Sequence, residues 1–159
     1  MQLTARSPSC FSNKYILRHD GLVLGEFIGR WFSEGMDIRL TDRRRWRLER
    51  RGFLSGPFLL LNDLGETFGT AQHRSLFSRR WDLETSVGGC TLTPAGLFNS
   101  GYRLEQQGQP LAEVRQINHC EGGWSVTQSD PRLNVADLLL AGMIYHVILQ
   151  RRRSAAAAG

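Results

Sequence analysis

The feature that most restricts this chain is its last apolar run, Leu133 to Leu149, with the sequence LNVADLLLAGMIYHVIL. Arg151, Arg152 and Arg153 close it, and a small-residue tail follows. The uninterrupted part, Leu138 to Leu149, makes about 18 Å of helix at ~1.5 Å per residue. A spanning helix needs roughly 20 apolar residues. Reaching that length takes Asn134 and Asp137 into hydrocarbon, which is costly. The run is apolar on every face, so it belongs wholly inside something. Two environments fit. In a protein core the arginine triplet would complement the helix macrodipole; in a bilayer it would mark the cytoplasmic boundary.

Upstream, the chain reads as short strands broken by Gly, Asp and Asn. Residues 1–13 are polar and are expected to fray. Tyr15 to Phe27 forms two strands around Asp20-Gly21, a strong hairpin signal between apolar runs. Met36 to Leu40 and Trp46 to Arg50 alternate apolar and polar, as half-buried strands do. Phe58 to Thr70 is a second hairpin turning near Asn62 to Gly65, followed by strands over Arg80–Thr85 and Cys90–Thr93. Tyr102 to Val114 is a third hairpin, turning at Gln107-Gly108 and followed by a strand from Trp124 to Thr127.

The turn glycines Gly21, Gly65 and Gly108 lie 44 and 43 residues apart. Leu24, Phe68 and Leu111 recur after them, each followed by a small residue, Gly25, Gly69 and Ala112. Each unit also supplies a Trp strand, through Trp46, Trp81 and Trp124, at less regular spacing. Three units of about four strands predict a mainly β fold, a closed antiparallel β-barrel of about 12 strands without free edges. Side chains alone fill a barrel of about eight strands, so a larger one needs a plug. The hydrophobic C-terminal α-helix is the candidate. The expected domain runs from 14 to 150, with the helix over 131–150 and flexible termini at 1–13 and 151–159. The helix starts either at Asp130-Pro131 as N-cap and first helical residue, or at Asn134, with Asp137 closing a loose capping box.

This organisation resembles the tubby C-terminal-like superfamily, whose members include tubby proteins, phospholipid scramblases and the LURP-one-related proteins of plants. Ala136 to Leu149 looks like the closing helix of the LURP-one-related and scramblase branches, and the hairpin around Asp20-Gly21-Leu22-Val23-Leu24-Gly25-Glu26 looks like their barrel strands. The resemblance covers about residues 14–150. It implies a helix-filled barrel with membrane associations. Where the scramblase pattern has acidic residues linked to calcium, this chain has Ile148 and Leu149, so the resemblance does not carry calcium binding over. No residue of tubby's basic phosphoinositide pocket transfers position by position.

The chain carries a formal net charge of +5, and of its 20 basic residues only Lys14 is lysine. That balance admits phosphate-bearing partners without choosing among them. The densest basic stretch is Arg43, Arg44, Arg45 and Arg47, continuing to Arg50 and Arg51. Strand alternation turns Trp46 and Leu48 inward and leaves the arginines in water, either as a solvated face or as an anion or headgroup site. Arg79 and Arg80 would join that site if strands of successive repeats lie close. The aromatics alternate inward, which argues against nucleic acid.

His119-Cys120-Glu121 groups three metal-ligand types, but adjacent residues of a strand point to opposite faces, so a turn is the simpler reading. No metal and no cofactor is expected. Cys10, Cys90 and Cys120 are odd in number and far apart, which suggests no disulfide framework and a reducing, cytoplasmic setting. His19 and His73 are expected to be exposed, and His146 is expected to be a neutral core histidine. No nucleophile elbow, P-loop, dinucleotide fingerprint or HExxH is present, and Gly52 to Gly56 has the wrong spacing for an elbow. The expected function is a non-enzymatic binding module, a monomer peripheral to anionic membranes. A scaffold domain and a C-terminally anchored protein are the alternatives.

Overall fold

The alternating strands close on themselves. The computed structural model describes residues 1–29, 35–52, 56–75, 77–97, 101–118 and 123–158. Twelve strands precede one helix: β1 (Gln2–Arg6), β2 (Lys14–His19), β3 (Leu22–Ile28), β4 (Met36–Leu40), β5 (Arg45–Arg50), β6 (Phe58–Leu61), β7 (Thr67–His73), β8 (Trp81–Thr85), β9 (Gly88–Pro94), β10 (Tyr102–Gln106), β11 (Gln109–Asn118), β12 (Gly123–Gln128) and α1 (Val135–Ala158). Each strand pairs antiparallel with its sequence neighbours, and β1 pairs with β12 to close the barrel.

The sequence repeat has a structural cause. In each hairpin the register shifts by one residue, opposite Leu17/Arg18, Leu60/Leu61 and Leu104/Glu105. The residues left over on the partner strands are Leu24, Phe68 and Leu111, so the repeated residue is a β-bulge, which bends and twists its strand. The turns Asp20-Gly21 and Gln107-Gly108 have positive φ at both positions (49° and 84°, 51° and 79°), the geometry that joins twisted strands in two residues. The tryptophans need a correction. Trp81 and Trp124 lie on the third strand of their units, β8 and β12, whereas Trp46 lies on the fourth strand, β5. Met36 of β4 takes the matching place, since Met36 faces Leu48 as Trp81 faces Leu92 and Trp124 faces Ala5. Met36, Trp81 and Trp124 are 45 and 43 residues apart, which restores the period.

The eleven strands legible in the sequence needed a twelfth, and the N-terminus supplies it. Residues 1–13 do not fray as expected: Leu3 and Ala5 are fully buried, and β1 is hydrogen-bonded on both sides. In Gln2-Leu3-Thr4-Ala5-Arg6 only two modest apolar residues alternate, a weak signal that becomes decisive once β12 and β2 stand either side. After β1, the Ser7 hydroxyl is buried and donates to the carbonyls of Ser9 and Ser12.

The apolar run is the plug. Residues Asp137 to Leu149 of α1 are all buried inside the barrel. Burying a large apolar side chain contributes roughly 1.5–3 kcal/mol, so the helix is a dominant part of the core. At Gly142 the helix packs directly against the wall. The Trp124 ring lies on it, and a Cβ there would sit 2.1 Å from Trp124 Cζ3. The helix begins at Val135, not at Pro131, because Asn134 is the cap: its Oδ1 accepts from the Asp137 N–H (2.9 Å) and Asp137 Oδ2 accepts from the Asn134 N–H (3.0 Å). Asp137 also accepts from the N–H (2.9 Å) and the hydroxyl of Ser86, tying the helix start to the β8–β9 turn. At the other end the expected flexible tail is helical through Ala158. Arg151 lies over the rings of Phe58 and Trp81, Arg152 lies over Tyr102, and alanine is the best helix former.

Cys10 is disulfide-bonded and Cys90 is a free, buried thiol. The odd cysteine count therefore concealed a bridge, and the inference of a reducing compartment loses its support.

Candidate functional site

Strand direction gives the barrel two unlike ends. At one end, where α1 begins, the strands are joined by turns of two to five residues; we call this the turn rim. At the other end, where α1 emerges, five of the connections are seven residues long: 7–13, 29–35, 51–57, 74–80 and 95–101. We call this the loop rim.

The predicted arginine site divides between them. Arg43 and Arg44 lie in the β4–β5 turn at the turn rim. Arg50 and Arg51 lie at the loop rim, about 17 Å away along β5 at ~3.3 Å per residue. Arg45 and Arg47 occupy the outer flank between the rims. Arg79 and Arg80 precede β8 and so join Arg50 and Arg51 at the loop rim. The stretch that is continuous in sequence is not one site, because a strand carries its ends apart.

The electrostatics of the two groups differ at Arg44, which is paired, while Arg43 beside it is exposed without a carboxylate partner among the described residues. Over much of the surface an arginine is neutralised by a carboxylate two positions away: Arg44 by Asp42 (2.6 Å), Arg47 by Glu49 (3.1 Å), Arg103 by Glu105 (3.4 Å), Arg115 by Glu113 (2.9 Å) and Arg132 by Asp130 (2.8 Å). Within β5, β10 and β11, residues i and i+2 share one face of the strand, which makes the pairing local; Asp42–Arg44 and Asp130–Arg132 pair within turns. The Arg44 backbone N–H and guanidinium hold the Asp42 carboxyl below its usual range, and the Arg132 guanidinium and N–H do the same for Asp130. At the loop rim, Arg74 pairs with Asp82 (2.6 Å), while Arg51, Arg79, Arg80, Arg152 and Arg153 are exposed and have no carboxylate partner among the described residues. Arg50 lies over the Phe58 ring, beside Arg151.

Sequence reasoning missed three further members of the loop rim. Phe11, Phe77 and Leu97 are 95%, 99% and 89% exposed, each on a different seven-residue loop. The available signal was a lone large apolar residue in a polar loop, as in Arg74-Ser75-Leu76-Phe77-Ser78-Arg79-Arg80. It also missed Arg39, which lines a cleft of about 290 Å³ on the flank with Asp37, Arg45, Arg47, Asn62 and Asp63.

The other candidates carry less chemistry. His119-Cys120-Glu121 lies outside the described residues, as does Ser55, and among the described residues no cluster of metal-ligating side chains forms. His19 and His73 are half-buried rather than exposed. His73 Nε2 lies 2.6 Å from the Ser78 carbonyl oxygen, and its ring stacks on Trp81. Burial pushes the Cys90 thiol up, the wrong direction for a nucleophile. Burial drives His146 down to about 3, so it is neutral, as expected. Its two ring nitrogens have no hydrogen-bond partner among the described residues, and the ring meets Tyr15 and Phe27 edge-on. Among the described residues no helix is long and apolar enough to cross a membrane. Comparison with protein-family models, with curated proteins and with solved structures finds no match to this chain.

Proposed function

We propose that the chain is a tubby-like, non-enzymatic binding module whose loop rim docks on anionic phospholipid headgroups. One observation carries this reading: Arg51, Arg79, Arg80, Arg152 and Arg153 gather without carboxylate partners on one rim, whereas the unpaired Arg43 of the opposite rim stands among Asp20, Asp42, Asp63 and Asp130. Guanidinium groups bind phosphate bidentately, and each basic residue near an anionic leaflet contributes about 1 kcal/mol. The lumen is filled by α1, so the ligand binds outside the barrel. The rim aromatics Phe58, Trp81 and Tyr102 are 1%, 2% and 3% exposed and turned inward, which withholds them from stacking on bases and disfavours single-stranded nucleic acid.

Vesicle co-sedimentation tests the reading. The full chain should sediment with phosphatidylserine-containing vesicles and not with pure phosphatidylcholine. Combined Arg51→Glu, Arg79→Glu and Arg80→Glu should weaken binding about 100-fold or more, since each reversal removes an attraction of about 1 kcal/mol and adds a repulsion. Binding indifferent to lipid charge would refute it. Salt-resistant capture of protein partners without vesicle binding would favour a scaffold instead.

A further inference from the structure

The loop rim carries apolar tips as well as charge, and their placement selects the kind of partner. Phe11 lies in the β1–β2 loop, Phe77 in the β7–β8 loop and Leu97 in the β9–β10 loop. On a ring of twelve strands the first two loops are six strands apart, on opposite sides of the mouth, and the third lies between them. At ~4.8 Å between tilted strands, a barrel of this size is roughly 20–25 Å across. Three almost fully exposed apolar side chains thus span the whole mouth, with unpaired arginines between them.

We infer that these tips enter the interface of a lipid bilayer, so that the barrel stands with its axis close to the membrane normal and α1 pointing its arginine end at the headgroups. This rests on the reading that the loop rim binds anionic membranes and names what makes that binding a bilayer interaction. A soluble phosphate compound would meet the arginines and leave the distant tips in water. A peptide or protein groove would need a contiguous apolar patch, and the tips are isolated from one another by cations. A planar, apolar interior beneath an anionic surface meets points on opposite sides of the mouth at once. The two parts of the rim then act in sequence. The arginines attract over a distance set by screening, ~10 Å at 0.1 M salt and ~3 Å at 1 M. The apolar tips act on contact and are not screened. The turn rim also exposes apolar side chains and the unpaired Arg43, but it sets acidic residues among them. Its exposed Leu22 and Leu64 lie beside Asp20 and Asp63, which an anionic leaflet repels.

The experiment compares the full chain with the triple variant Phe11→Ser, Phe77→Ser, Leu97→Ser on phosphatidylserine–phosphatidylcholine vesicles at about 0.1 M and about 1 M salt. The three side chains are exposed, so folding should be unaffected, which circular dichroism checks. The natural chain should retain a bound fraction at high salt. The variant should bind on the order of 100-fold more weakly at low salt and be released entirely at high salt. As a second readout, Phe77→Cys carrying a polarity-sensitive fluorophore should shift to the blue on vesicle addition and be quenched by a shallow lipid spin label. A variant that keeps the high-salt fraction, or a fluorophore unchanged while the protein sediments, would overturn insertion and leave surface binding standing. Failure of the natural chain to bind at low salt would overturn both.

Discussion

The turn rim and the loop rim are built from the same strands and differ in what joins them. At the turn rim, connections of two to five residues leave little beyond what hairpin geometry requires, and Asp42 and Asp130 neutralise their arginine neighbours. The helix starts there, and its electropositive end is met by the buried carboxylate of Asp137, held by Ser86 and Asn134. At the loop rim, repeated seven-residue connections exceed what closure needs, and they carry exposed apolar side chains and unpaired cations. The helix emerges there at Arg151 to Arg153 and runs on to Ala158, so the arginine triplet lies before its last turn rather than at the electronegative end. One rim is a structural closure, and the other has chain to spare for recognition.

If that division holds, damage at the turn rim should cost stability and spare binding. The largest effect is expected from Asp137→Ala, which leaves the N–H groups of Ser86 and Asn134 and the Ser86 hydroxyl without their acceptor. A loss of about 3 kcal/mol in urea unfolding is expected, with vesicle affinity of the folded fraction unchanged. Reduced affinity at full folding would show that the rims are coupled.

His146 sharpens the contrast from the loop-rim side, where it lies beneath Gly29 and Gln150. Its folded pKa, about 3, lies below its unfolded value of about 6.5. The unfolded state therefore binds the proton first. Its contribution to stability is complete above pH 6.5 and falls as pH drops toward 3, by about 2 kcal/mol at pH 5. His146→Phe should remove that part of the slope in urea titrations at pH 7 and pH 5. An unchanged slope would mean that the histidine is solvated.

The smallest effect is expected from Arg44→Ala. Arg44 belongs to the longest basic stretch, but it is exposed and paired with Asp42 at the turn rim. Neither the unfolding midpoint nor vesicle binding should change measurably. A loss of binding like that of the loop-rim triple reversal would restore the continuous patch as the site.

The repeat and the plug were legible because their causes are local. Asp20-Gly21 and Gln107-Gly108 turn the chain in two residues, a bulge at Leu24, Phe68 and Leu111 recurs once per unit, and the helix is apolar throughout. β1 was not legible, since Leu3 and Ala5 acquire meaning only between β12 and β2. Trp46 misled because a tryptophan in a strand looks alike on the third and fourth strands of a unit. The arginine site was half legible: residue type and exposure followed from alternation, but the separation of Arg43 and Arg44 from Arg50 and Arg51 did not.

By itself, then, the sequence determined eleven of the strands, their turns and period, and the need for something apolar inside. Those follow from backbone sterics, alternation and the cost of leaving LLLAGMIYHVIL in water, all of which act over a few residues. Only the tertiary structure decided that the N-terminus closes the ring, that Asp137 locks onto Ser86, and that Arg51, Arg79, Arg80 and Arg152 meet Phe11, Phe77 and Leu97 on one rim. These neighbours are set by strand number and direction around a closed barrel. No local stretch of chain encodes them.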